Sequence, residues 1–280
     1  MGTSSLYKGP KSSVLLPSDY EDHSLEQEGT AQDNSQQEVD SIDNPNSQEE
    51  DSSKAGIIVP CVTWGSAKST MTKSYHGDIK QIRNAVKQYT KALGGHKNAA
   101  RQASSAKRVT LHVISLFSGS AADIRYRIEE SGIKFEGRTT SDIFLDIRDL
   151  LAPTPDTLEN SYVNKAVNDT IAEIMSDNDF DITTIDDVLS TEILQRMVCG
   201  VIKYYIYEKL MGQDTLGVIK REKDPAKIKK FEKTLRDCID GLVTGFVPPV
   251  LKEGLEKKEI NTLVDELYEI SYQAMEGMKL

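Results

Sequence analysis

The stretch Ile193-Leu194-Gln195-Arg196-Met197-Val198-Cys199-Gly200-Val201-Ile202-Lys203-Tyr204-Tyr205-Ile206-Tyr207-Glu208-Lys209-Leu210 decides the fold. Wound at 3.6 residues per turn, Ile193, Leu194, Met197, Val198, Val201, Ile202, Tyr205 and Ile206 cover nearly the whole circumference of a helix. A helix that is apolar almost all round has no face to give to water, so it belongs at the centre of a domain. The expectation is a buried helix with amphipathic helices packed around it.

Helical periods recur on both sides of it. Ile79, Ile82, Val86, Tyr89 and Leu93 step by three and four until Gly94-Gly95 stops them. Ala99, Ala103, Ala106, Val109, Val113 and Leu116 form an alanine-rich stripe. The joint Gly95–Asn98 is short, so these two helices are expected to be neighbours. Ser120-x-x-Asp123 predicts a helix through Ile124 and Ile128, ended by Gly132. Ile143, Ile147, Leu150 and Leu151 predict another, ended by Pro153, and Thr154-Pro155 predicts the start of a helix through Leu158, Tyr162, Ala166, Val167, Ile171 and Ile174. Asp224-Pro225 opens a further one with Ile228, Phe231, Leu235, Cys238, Leu242 and Val243 inward, and Ile260, Leu263, Leu267, Ile270 and Ala274 mark the last. Ile57–Trp64, apolar and broken by Pro60, reads as an extended segment pinned by the chain's single tryptophan. No alternating strand pattern and no fixed repeat accompanies these periods. The fold class expected is all-α, an irregular multi-helix domain.

Charge divides the chain of 280 residues into three parts. Residues 1–56 carry twelve acidic and three basic side chains, with few large apolar groups. They cannot bury enough surface to offset their ordering entropy, so they read as a long disordered acidic tail. Residues 57–118 form a basic helical block, with ten basic side chains against Asp78 alone. Residues 119–280 form an acidic all-α block expected to pack with it. Cys61, Cys199 and Cys238 form no C-x-x-C pair, which suits a reducing compartment. No charged-then-apolar leader and no apolar run of about 18 residues occurs, so a cytoplasmic protein without a membrane span is expected.

Several fragments resemble active sites and fall short. Gly65-Ser66-Ala67-Lys68-Ser69-Thr70 lacks the glycine before lysine that a phosphate-binding loop needs, that place being held by Ala67. Asp177-x-Asp179-x-Asp181 begins like a calcium loop, but Ile182 replaces the turn glycine and Val188 the bidentate glutamate. Ser104/Lys107 and Ser131/Lys134 have acyl-enzyme spacing without supporting motifs. His23, His76, His96 and His112 show no ligand spacing; His112 is expected on a helix flank and the others in loops or tail. No catalytic residue, metal ligand or cofactor is expected.

Two features remain. Lys80, Arg83, Lys87, Lys91, Lys97, Arg101, Lys107 and Arg108 fall on the basic helices beside their apolar stripes. They read as a solvated face, as a docking surface for an acidic protein, or as a nucleic-acid surface. The other is the start, Met1-Gly2-Thr3-Ser4-Ser5-Leu6. Removal of Met1 would expose the Gly2 amine, the least hindered in the chain. An α-amine ordinarily titrates near pH 8, so roughly 10% of it is neutral at pH 7, against well under 0.1% for a lysine. Leu6 stands where a myristoylation signal needs Ser or Thr, which argues against a lipid anchor.

Met1-Gly2-Thr3-Ser4-Ser5 with Gly9-Pro10 and Leu15-Leu16-Pro17 resembles the start of the QatB family of bacterial anti-phage Qat systems. Trp64, Ala67-Lys68, Ile82-Arg83-Asn84-Ala85-Val86, Tyr89, Gly94-Gly95 and Ala99-Ala100-Arg101 resemble its first helical block. The resemblance is strongest over residues 1–17 and 64–117, with an acidic insertion at roughly 18–56. It implies three partners: a large ATPase, a queuosine-synthesis-like enzyme (QatC type) and a TatD-like nuclease. It further implies Gly2 as the site at which the second partner attaches a deazaguanine group. Thr3, Ser4, Ser5, Gly9 and Pro10 would be the residues that partner recognises. The protein itself would be a non-enzymatic adaptor.

Overall fold

The Ile193–Leu210 stretch lies within α8 (Asp187–Leu210), and each of its eight apolar side chains named above is buried. The structure is a computed structural model that describes residues 62–75, 78–176, 181–184, 186–212 and 224–277. The chain divides into two units, residues 1–55 and 56–280, and all described residues belong to the second. Every regular element among them is helical. The acidic tail and the run 57–61 lie outside the described residues.

The other helices surround α8 as a consequence of their single apolar faces. α7 (Leu158–Met175) lies along α8 and packs on it more extensively than any other helix. A Cβ at Gly200 would sit 2.4 Å from Thr170 Cγ2, so glycine is what lets these two backbones meet. α4 (Ser104–Phe117) and α9 (Pro225–Lys257) also pack on α8. α10 (Ile260–Glu276) folds back along α9 and touches α2 (Ile79–Ala92), α3 (His96–Arg101) and α4. α1 (Trp64–Ser74) forms a hairpin with α2. α5 (Ala121–Glu130) and α6 (Thr140–Leu151) cover the remaining end, packing on α4 and, respectively, on α8 and α7. Capping boxes Ser120/Asp123 and Thr139/Asp142 start α5 and α6, each serine or threonine oxygen accepting from the third helical N–H while the aspartate returns the bond. Asp224 caps α9 by accepting from Ala226 N at 2.9 Å, with Pro225 at the first helical position.

Six expectations are corrected. Trp64 is not an extended anchor: it opens α1, capped by Thr63, and is 41% exposed, its ring edge-on to Tyr89 at 5.7 Å. The alanine stripe is two helices, not one. Along a straight helix Ala99 and Leu116 would drift to different sides, and the break at Gln102–Ala103 resets the direction. α2 and α4 are not principal neighbours; α10 packs against both. α7 begins at Leu158 because Thr157 Oγ1 accepts from Asn160 N at 3.1 Å, while Thr154-Pro155 stays in the preceding turn. Leu150 points to solvent at 47% exposure, so α6 buries Phe144 beside Ile143, Ile147 and Leu151 instead. On α10 the buried face is turned toward Val264, Tyr268, Ser271, Tyr272 and Met275, leaving Ile260 exposed and Ile270 and Ala274 half-buried. Beyond these corrections, α9 continues through Pro248 and Pro249 to Lys257, well past the last apolar position read from its period.

Candidate functional site

The predicted basic residues are not all brought to one place. Lys80, Arg83, Lys87 and Lys91 are spaced by three and four along α2, opposite the buried Ile82, Val86 and Tyr89. Lys80 and Arg83 are exposed, and Lys87 and Lys91 half-buried. Arg101 ends α3 and Arg108 lies exposed on α4. Lys107 leans onto α10, its Nζ 2.8 Å from Asp265 Oδ1. On the same helix Glu276 holds His96 twice, accepting from its N–H at 3.1 Å and from Nδ1 at 2.6 Å. Burial would raise the Glu276 carboxyl, but these His96 bonds outweigh it and hold the carboxyl below its usual range. α10 therefore supplies acids to the α3–α4 side.

A second basic stretch joins α2 from the other end of the chain. Tyr75, at the α1–α2 joint, meets the Phe231 ring at 5.1 Å, and Arg83 interacts with the Cys238 thiol. This contact sets the first half of α9, with exposed Lys227, Lys229, Lys230 and Lys233, beside α2. The sequence signal is present as four lysines within seven residues, but the acidic average over 119–280 hides it.

A cleft of about 380 Å³ lies among α7, α8 and α9 and is lined by Glu173, Arg196, Cys199, Lys203, Asp240 and Thr244. Lys203 bridges Glu173 and Asp240, both at 2.8 Å. Desolvation would lower the Lys203 pKa, yet the two carboxylates outweigh it and raise it. A smaller cleft of about 270 Å³ adjoins it, where Arg236 stacks over Tyr207 at 4.3 Å. Asp169 Oδ2 is buried with no hydrogen-bond partner among the described residues and acts electrostatically on Arg236 and Tyr204. A polar cluster of this kind, far apart in sequence, is legible only once α7 and α9 are placed.

Deeper in the core, Lys209 donates to the Tyr205 hydroxyl at 3.1 Å and lies 3.8 Å from Glu159, to which Tyr205 also donates. Burial pushes the Lys209 pKa down and the Tyr205, Tyr268 and Tyr272 phenols up.

The motif fragments resolve separately. Gly65–Thr70 is part of α1, and Lys107 of the Ser104 pair is engaged by Asp265. Ser131 Oγ donates to Arg127 O at 2.8 Å. Asp181 accepts from Thr140 and from Thr183 N at 2.9 Å, which hold its carboxyl below the usual range and fix the turn Ile182–Thr184. Asp177, Asp179, His23 and His76 lie outside the described residues. His96 opens α3 instead of lying in a loop, and His112 is on an exposed flank of α4. Among the described residues no group of three or more His, Cys, Asp or Glu could hold a metal. No helix is long and apolar enough to cross a membrane, again among the described residues.

The family profile of the Qat anti-phage system associated protein QatB matches residues 94–275. This chain belongs to the QatB family. Comparison with curated proteins and with solved structures gave no match. The match begins where α2 ends and runs almost to the end of α10, so the Lys203 clefts and the Lys209 network lie inside it. Most of the motifs that resemble QatB at residues 1–17 and 64–93 lie before it. The family match thus rests chiefly on the part of the chain read from helical periodicity, and the α2 stripe stands outside. As a family member the chain is a component of the Qat anti-phage system. Gly2, Thr3, Ser4, Ser5, Gly9 and Pro10 lie outside the described residues.

Proposed function

We propose that this chain is a non-enzymatic member of the anti-phage complex, whose helical body docks the ATPase while its N-terminal arm presents Gly2 for modification. The queuosine-synthesis-like partner activates a deazaguanine carboxyl group with ATP. The neutral Gly2 amine attacks the activated carbonyl, a C–N bond forms, and the activating phosphate group leaves with the electron pair of its C–O bond. The amine proton passes to solvent, and an amide remains. Thr3, Ser4 and Ser5 offer little bulk to a narrow active site, and Gly9-Pro10 limits the backbone beyond them.

The observation that carries this reading is the family match over residues 94–275, which assigns the helical body to the system. Two features support the non-enzymatic part. Burial pushes the Cys199 thiol up to about 12 and the Cys238 thiol above its ordinary value, so neither is poised as a thiolate. In the cleft of α7, α8 and α9, Glu173 and Asp240 are engaged by Lys203, and Arg196 by Glu192. The test is co-expression with the ATPase and the queuosine-type enzyme, reading copurification at high salt and intact mass. A retained ATPase and a mass gain of one deazaguanine acyl group are expected. An unmodified chain beside an active partner would overturn the Gly2 assignment, and loss of the ATPase would overturn the adaptor role.

A further inference from the structure

We propose that the basic groups of α1, α2 and the first half of α9 form one surface for the phosphodiester backbone of a nucleic acid. This goes beyond the adaptor reading and does not depend on Gly2. Neither stretch is sufficient in the sequence: one lies before residue 93 and the other begins at Lys227. The fold unites them through Tyr75 against Phe231 and Arg83 against Cys238. α1 and α2 contain no acidic residue, and Glu232 is the single carboxylate of residues 225–236. Lys73, Lys80, Lys229, Lys230 and Lys233 are exposed and make no ion pair among the described residues. They contrast with Lys107, Lys203 and Lys209, which internal acids already engage.

The character of this surface selects the partner. Protein–protein interface cores are depleted of lysine and built on apolar or aromatic anchors. Here the exposed large apolar groups are Trp64 and Ile79, one at the start of each N-terminal helix, and the first half of α9 exposes none. Unpaired lysines without an apolar centre suit phosphates, because each neutralised phosphate releases a condensed counterion.

The experiment is fluorescence anisotropy of labelled single-stranded and duplex DNA with the full-length chain, from about 50 to 200 mM salt. Binding at low salt is expected, with log K falling against log salt by about 0.7–0.9 for each phosphate engaged. The triple variant Lys229→Glu, Lys230→Glu, Lys233→Glu is expected to bind at least about tenfold more weakly, and Lys80→Glu alone to lose less. All four residues are exposed, and a thermal melt reports that the variants remain folded. No binding at low salt would overturn the proposal. So would binding that the α9 variant retains, or equal displacement by poly-glutamate at matched charge, which would indicate an acidic protein partner.

Discussion

α8 and α2 both carry lysines, and they use them in opposite directions. Lys203 and Lys209 of α8 point into the molecule, their side chains 13% and 3% exposed, and are held by Glu173, Asp240 and Glu159. Lys80 and Arg83 of α2 stand in water on a helix with no acid of its own. The apolar pattern makes the difference. The buried lysines of α8 must be matched by acids of its neighbours, whereas α2 has one apolar stripe and keeps Lys80 and Arg83 exposed on the opposite side. Residue type alone therefore does not locate a charged surface, whereas residue type against periodicity does.

The contrast can be broken most strongly at the core. Ile202→Ala is expected to cost about 2–5 kcal/mol in urea unfolding, whereas Lys80→Ala should stay within about 0.5 kcal/mol. Comparable losses from the two would mean that α2 is as deeply integrated as α8. A smaller effect is expected at the α7–α8 approach, where the Cβ of Gly200→Ala would press on Thr170 at 2.4 Å. About 1–3 kcal/mol should be lost there, and an unchanged midpoint would show that the helices separate at no cost.

Weaker still, per pH unit, is the signature of the Cys199 thiol. Its folded pKa is raised to about 12 from 9.0 by burial. The unfolded chain therefore releases this proton first, and the stability it contributes is intact below pH 9 and lost as pH rises toward 12. From pH 9 to 10 the native protein should lose up to about 1.4 kcal/mol more than Cys199→Ala does. Parallel pH profiles for the two proteins would show that the thiol is not desolvated.

Much of this architecture is legible in the sequence alone. α8, α5, α6 and the start of α9 follow from apolar spacing and from the caps Ser120 and Asp224, because those signals are local. What the spacing misses depends on neighbours. Tyr268 is inward on α10 because Tyr205 and Thr110 receive it: its ring stands edge-on to Tyr205 at 6.1 Å and its hydroxyl is 3.0 Å from Thr110 Oγ1. A count of aliphatic positions places that helix about a quarter-turn away. The Lys203 clefts need α7 and α9 brought together, and the lysines of α9 acquire meaning only beside α2. The N-terminal site rests on amine chemistry and resemblance, and its residues lie outside the described part of the chain.

The most direct measurement of the central claim is fragmentation mass spectrometry of the N-terminal peptide after co-expression with the queuosine-type enzyme. Met1 is expected to be absent and a deazaguanine acyl group to be on the Gly2 α-amine, with Lys8 and Lys11 unmodified. A free Gly2 amine in the presence of an active partner, or the same group carried by a lysine instead, would contradict the claim.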